Sequence, residues 1–257
     1  LNHRPVVEPR AQRACRNPGI GTGISSSRTA GRHLRWRRAT HAGEDREGVT
    51  ILLSDPRVAA VPILDSSEPL VTLDASFGPA RALVRRGVAT RLATAQTLLS
   101  GGLRLRVVEG HRTIADQQAI INRYSAQVCA AYPGVSPGDL HDLVSRFVAP
   151  LEVAPHVAGA AVDLTLVDAR GHEVDMGTPI DATPEQSDGA CWFAAPNISR
   201  CARSHRRLLS TVLTWSGLVN YPTEWWHWSY GDRYWALATG ADAALYGPVA
   251  TPQGAAA

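Results

Sequence analysis

Lysine is missing from the chain: all 26 basic residues are arginine. With so much alanine, glycine and proline, this matches a coding bias toward GC-rich codons, and no function follows from it. Apolar runs of 18 or more residues are also missing, which excludes a membrane-spanning helix of ordinary length. The sequence contains no Cys-x-x-Cys pair, which argues against a thiolate zinc site or a thioredoxin-type motif. Four cysteines in 257 residues are too few for a disulfide scaffold. Cys191 and Cys201, ten residues apart, could pair in an oxidising compartment. No apolar stretch of the signal-peptide kind follows the positive charges near the N-terminus, so a cytoplasmic protein is expected.

What remains is ordinary for a globular chain, with 44% hydrophobic and 19% charged residues. The charge is unevenly spread. Residues 1–50 hold ten arginines against four acidic residues and show neither helical nor strand periodicity. They are expected to form a basic disordered tail. Such a tail permits a nucleic-acid or anionic-membrane arm on composition alone, but no nucleic-acid partner is expected. The folded domain is expected over 51–247, with a flexible C-terminal tail over 248–257.

Periodicity places the elements. "PARALVRRGVATRLATAQTLLSGG" (79–102) has the apolar spacing of a helix. "LRLRVV" (103–108) alternates as a half-buried strand. A second helix follows Gly110, with Thr113 as its N-cap. "AAVDLTLVD" (160–168) reads as a strand turning at Gly171 into a hairpin partner, "EVDMG". Residues 198–217 read as a helix capped by Asn197, and a last strand lies near Glu224–Trp228. The order suggests one α+β domain, a small and largely antiparallel sheet with helices packed on one side and reactive groups at strand ends.

Asp163 is awkward for a core. It sits inside Ala-Val-x-Leu-x-Leu, where burial without a partner costs several kcal/mol, and it calls for a cation. His156 stands seven residues before it. Downstream, "EWWHWSYGDRYWA" (224–236) puts six aromatics around Glu224 and His227. One reading is a buried corner of the core with two satisfied polar groups. The other is a metal site: His156, Asp163 and His227 make a three-ligand zinc set with a fourth position for water, and Glu224 beside it could carry a proton. Residues three apart face opposite ways on a regular strand, so the second reading requires either that the chain bend between Glu224 and His227 or that Glu224 lie at the strand's entry just beyond Pro222.

Three stretches, "EGHR", "HVAGAAVDLTL" and "EWWHW", in that order, resemble the zinc D-alanyl-D-alanine dipeptidases of the VanX type, over roughly residues 55–235. The resemblance implies one zinc per chain held by His156, Asp163 and His227, with Glu224 as catalytic base and Arg112 stabilising the oxyanion. "DMGTPID" is similar to the family segment that would make Asp181 the anchor for a dipeptide's free amine. The chain departs from the family at Ala154 and Pro155, where two serines are usual, and at Ile180, where phenylalanine is. The implied activity is hydrolysis of D-Ala-D-Ala or a close D,D-dipeptide. The alternatives are a D,D- or L,D-carboxypeptidase or endopeptidase acting on peptidoglycan stem peptides, and a non-catalytic zinc-binding, wall-sensing module.

Overall fold

The computed structural model describes residues 50–249. The two expected tails fall outside them, apart from Thr50, Pro248 and Val249. In chain order the elements are α1 (Pro56–Ala60), β1 (Leu70–Thr72), β2 (Leu83–Arg85), α2 (Arg86–Leu98), β3 (Arg104–Glu109), α3 (Ile114–Ala131), α4 (Pro137–Ser145), β4 (Ala161–Val167), α5 (Pro184–Ser187), α6 (Arg200–Trp215), β5 (Val219–Asn220), β6 (His227–Ser229) and α7 (Arg233–Thr239). Among the described residues, no helix is long and apolar enough to cross a membrane.

The central sheet has four strands in the order β3-β4-β6-β5, antiparallel at every pairing. β4 is buried along its whole length, but its two faces differ. Val162, Leu164 and Leu166 alternate onto one face. There they join a core with Val88, Leu92 and Ala95 of α2 and Leu209, Val212 and Leu213 of α6. Each such valine or leucine contributes on the order of 2 kcal/mol by leaving water. Asp163 and Thr165 take the opposite face, which is the face left for chemistry. α3 and α4 pack on each other through a smaller core that includes Tyr124, Val128, Val144 and Val148. The expected α+β architecture is therefore present, with α2 and α6 on one side of an antiparallel sheet.

The local readings hold where periodicity is long. β3, β4 and α3 lie within a residue or two of their expected places, and the Thr113 side chain accepts a hydrogen bond from Asp116 N–H as the α3 cap. The Gly171 turn brings Glu173 back beside Val167. Three expectations are corrected. The helix expected from residue 79 begins at Arg86, because Leu83–Arg85 pair with β1 instead; the short β1 carried no signal of its own. α6 is capped by Ser199, whose hydroxyl accepts from Ala202 N–H, while Asn197 reaches across to the Asp188 carbonyl. Cys191 is a free thiol buried in the main core, so no bridge joins it to Cys201. It packs there as a small apolar side chain.

One glycine sets the approach to β4, and a second, in the turn before β3, provides its comparison. Gly159 has φ +65°, and a Cβ there would lie 2.4 Å from Leu70 Cδ2. Gly101 has nearly the same φ, +69°, with no atom within 4 Å of a built Cβ. Left-handed backbone alone costs a non-glycine residue about 1–2 kcal/mol. Gly101→Ala should lose about that much stability and Gly159→Ala clearly more, measured by urea unfolding in the presence of a chelator. Equal losses at the two sites would mean that the Leu70 contact relaxes without cost.

Candidate metal centre and active site

Register places the reactive groups. Glu109 of β3 pairs with Asp163 of β4, and Asp163 pairs with His227 of β6. One row across three adjacent strands thus carries a glutamate, an aspartate and a histidine on the same face. A bulge between Val107 and Glu109 brings Glu109 into that row. His156 enters from the turns that precede β4. Its Nδ1–H donates to the Gly110 carbonyl at 2.7 Å, which turns Nε2 toward Asp163. Gly110 has to be glycine for this approach, since a Cβ would sit 2.4 Å from the Leu83 carbonyl oxygen.

The bend required between Glu224 and His227 is present. Glu224 N–H donates to the Tyr221 carbonyl at 2.9 Å, and His227 N–H to the Glu224 carbonyl at 3.3 Å, so two successive turns precede β6. Asn220 fastens them, its side-chain amide donating to the carbonyls of both Glu224 and His227 at 2.9 Å. The strand expected at 224–228 therefore starts only at His227, and both side chains reach one site.

Three donor atoms converge there. His227 Nδ1 lies 3.1 Å from His156 Nε2 and 3.1 Å from Asp163 Oδ1, and His156 Nε2 lies 3.4 Å from Asp163 Oδ1. All three residues are buried. A tetrahedral zinc with ordinary bond lengths has ligand–ligand edges of about 3.3 Å. Nitrogen, nitrogen and carboxylate oxygen also match the ligand types zinc takes. The residues fit the ion. Glu224 stands beside the triangle but is not part of it, with Oε2 3.7 Å from His227 Nδ1.

These residues line a cavity of about 420 Å³ together with Glu109, Arg112 and Asp181. Arg112 is held in a fork: Nε and Nη2 donate to the two Glu109 carboxylate oxygens at 2.7 and 2.5 Å, and Nη1 donates to Gln117 Oε1 at 2.8 Å. Gln117 is buried and itself donates to the Ala149 carbonyl. The structure thus brings together every residue singled out in the sequence, and adds Glu109, Gln117 and Asn220. Trp225, Trp226 and Trp228 all lie in the main core, and of the three Trp226 also lines the cavity.

The electrostatics show a site short of positive charge. Burial opposes the charge on Asp163, yet His156 and then His227 hold its carboxyl below the usual range. Burial, and then the charges of Asp163 and Asp181, push Glu224 well above it. Solvent reaches Asp181, but desolvation by the cavity walls, followed by Asp163 and Glu109, still moves it up to about 6. Burial lowers His227. Burial also works against His156, but Asp163 outweighs it and raises that group.

The sequence pattern of the peptidase M15 family, described as D-Ala-D-Ala dipeptidase, matches residues 73–240. The chain belongs to this family of metallopeptidases. A D-alanyl-D-alanine dipeptidase from Synechocystis is 29% identical over 216 residues, 69% of this chain and 87% of the relative. One from Escherichia coli is 30% identical over 159 residues, 61% of this chain and 71% of the relative. Among solved structures, VanYB in complex with D-alanine-D-alanine is similar at a TM-score of 0.42 and 15% identity, over 74% of this chain and 95% of that one. The M15 match spans all three triangle residues, together with Glu224, Arg112 and Asp181.

The triangle predicts about one tightly held divalent ion per purified chain. His156→Ala should lose most of it, because two ligands cannot hold the ion against solvent. Elemental analysis of a variant still replete in metal would remove His156 from the ligand set.

Proposed function

We propose that the protein is a zinc-dependent D,D-dipeptidase that hydrolyses D-Ala-D-Ala or a close relative. The observation that carries this reading is a complete His-Asp-His donor triangle with a buried, non-ligating glutamate 3.7 Å from one donor. The relatives named as D-alanyl-D-alanine dipeptidases support the substrate class. The carboxylate of Asp181 in the same cavity supports a dipeptide with a free amine.

When bound, zinc would polarise the scissile carbonyl and make water a nucleophile near neutral pH. Glu224 takes one proton from the attacking water as its oxygen bonds to the carbonyl carbon. Glu224 then gives that proton to the leaving nitrogen as the carbon–nitrogen bond breaks, so water is consumed and an acid and an amine are released. The burial of Glu224 favours its protonated form, which suits the second half of this exchange. Arg112 spends three of its five N–H groups on Glu109 and Gln117. Two remain for charge developing on the carbonyl oxygen, and Glu109 fixes the plane in which they lie. Asp181 meets the substrate ammonium. Desolvation, followed by Asp163 and Glu109, raises its carboxyl, and a substrate ammonium would offset that cost.

Glu224→Gln keeps the shape and loses the proton carrier. It should retain its metal while turnover falls by about 100- to 10,000-fold. A variant turning over near the normal rate would assign the base elsewhere.

Substrate length provides the second test. A dipeptidase must bind an ammonium next to the scissile bond, whereas a carboxypeptidase must leave room there for uncharged chain. N-acetyl-D-Ala-D-Ala should therefore be a very poor substrate, since acylation removes the charge and leaves Asp181 unpaired. Asp181→Ala should narrow the gap, chiefly by weakening hydrolysis of the free dipeptide. Equal hydrolysis of free and acetylated compounds by the unsubstituted protein would move the assignment to a carboxypeptidase.

A further inference from the structure

Arg206 on α6 is buried to 1% exposure, and the hydrogen bonds of its guanidinium all go to backbone carbonyls. Nε donates to Met176 at 2.8 Å, Nη2 to Ala190 at 2.8 Å, and Nη1 to Trp192 at 2.6 Å and Phe193 at 3.3 Å. Met176 and Ala190 are the two ends of the segment 177–189, which carries Asp181, Thr183 and Gln186 into the cavity wall. One side chain therefore closes both ends of the segment that bears the amine-binding carboxylate.

The same guanidinium lies 5.5 Å from the ring of Trp225, the residue after Glu224. Trp225 is tied to the segment as well. Its backbone N–H donates to the Cys191 carbonyl at 3.0 Å, and its indole N–H to the Thr178 hydroxyl at 2.8 Å. Phe193 N–H donates to the Pro222 carbonyl at 2.9 Å. Glu224 and Asp181 stand on separate loops, and Arg206 with Trp225 joins those loops behind the cavity together with these backbone bonds.

We propose that Arg206 is a positioning residue for substrate length: it fixes the span between Glu224 and Asp181, and so how much chain fits between the scissile carbonyl and the amine-binding carboxylate. The inference rests on the dipeptidase reading. Arginine is required because its planar fork satisfies several carbonyls in different directions, whereas lysine offers a point charge on a flexible stem.

The test uses the full-length, zinc-loaded protein, as the unsubstituted chain, Arg206→Lys and Thr178→Val. Thr178 is only partly buried and lies outside the core, so its variant folds even if Arg206→Lys does not. Metal content, kcat and KM are measured for D-Ala-D-Ala and N-acetyl-D-Ala-D-Ala. A positional shift of about 1 Å in a reacting group can change rates about 100-fold. Arg206→Lys should keep its metal, raise KM for the free dipeptide, and reduce the preference for free over acetylated substrate at least about 10-fold. Thr178→Val should move the preference in the same direction by a smaller factor. Hydrogen exchange in 177–189 should quicken in both variants relative to β4. A lower melting temperature with the preference unchanged would make Arg206 a purely structural residue and overturn the proposal. Equal hydrolysis of both compounds by the unsubstituted chain would overturn the dipeptidase reading itself, and that result is read before any variant is made.

Discussion

A carboxylate in the middle of a fully buried strand is the constraint on which the site depends. Asp163 is flanked in sequence by Val162 and Leu164, whose side chains build the main core, so it cannot turn toward water without dismantling that core. It must be satisfied where it stands. Cross-strand pairing supplies His227 on one side and Glu109 on the other, and the turns before β4 supply His156. Two histidines meet part of the demand, but Glu109, Asp181 and Glu224 share the same cavity. A divalent cation at the donor triangle would resolve the imbalance, and the proposed hydrolysis would follow from the placement of that charge.

The sheet supplies the row, but loops supply most of the rest, and side chains hold those loops. Asn220 bridges two carbonyls across the turns between β5 and β6. Arg85 is buried and donates to the carbonyls of Ala158, Gly247 and Glu68, which fixes the turns that present His156. Arg206 does the same for the segment bearing Asp181. A loop that leaves backbone carbonyls buried has to find donors for them, and guanidinium groups offer several at once without needing an acid. Two buried arginines used in this way explain how so short a sheet can position groups from loops far apart in sequence.

The parts of this arrangement that were legible in the sequence are those where one residue carries its own contradiction or its own period. Asp163 inside an apolar strand demanded a partner. The spacing of α3 and the alternation of β3 and β4 were long enough to read. A bend before His227, or a place for Glu224 at the strand's entry, could be required in advance, because a regular strand could not present both Glu224 and His227. Length set the limit elsewhere. β1 and β5 have two or three residues each, too few for a period to appear, β6 was expected but placed to begin three residues early, and β2 was hidden within a helical pattern. Gln117 looks like any polar residue early in a helix, and nothing local to Asn220 says which carbonyls it will meet across a loop. Glu109 and Arg112 stand three apart, but only the bulge in β3 turns that spacing into a fork.

The tryptophans of the Glu224 segment serve both of the readings their sequence allowed, by dividing the work between faces. Trp226 is part of the main core but also lines the cavity with Glu224, where a large apolar ring leaves less room for water. Trp225 and Trp228 face away from it into the core, with the Trp228 indole N–H donating to the Trp225 carbonyl. In the proposed mechanism Glu224 alternates between two protonation states, and such a group needs a fixed position through both of them. Water cannot provide that, and neither can a flexible loop. Large rings locked into the core on either side of Glu224 and His227 provide it, because displacing either group would pull a buried indole out of a close-packed interior. The aromatic run is therefore less a wall around the site than its foundation. That explains why so costly a set of residues is concentrated beside one glutamate and one histidine.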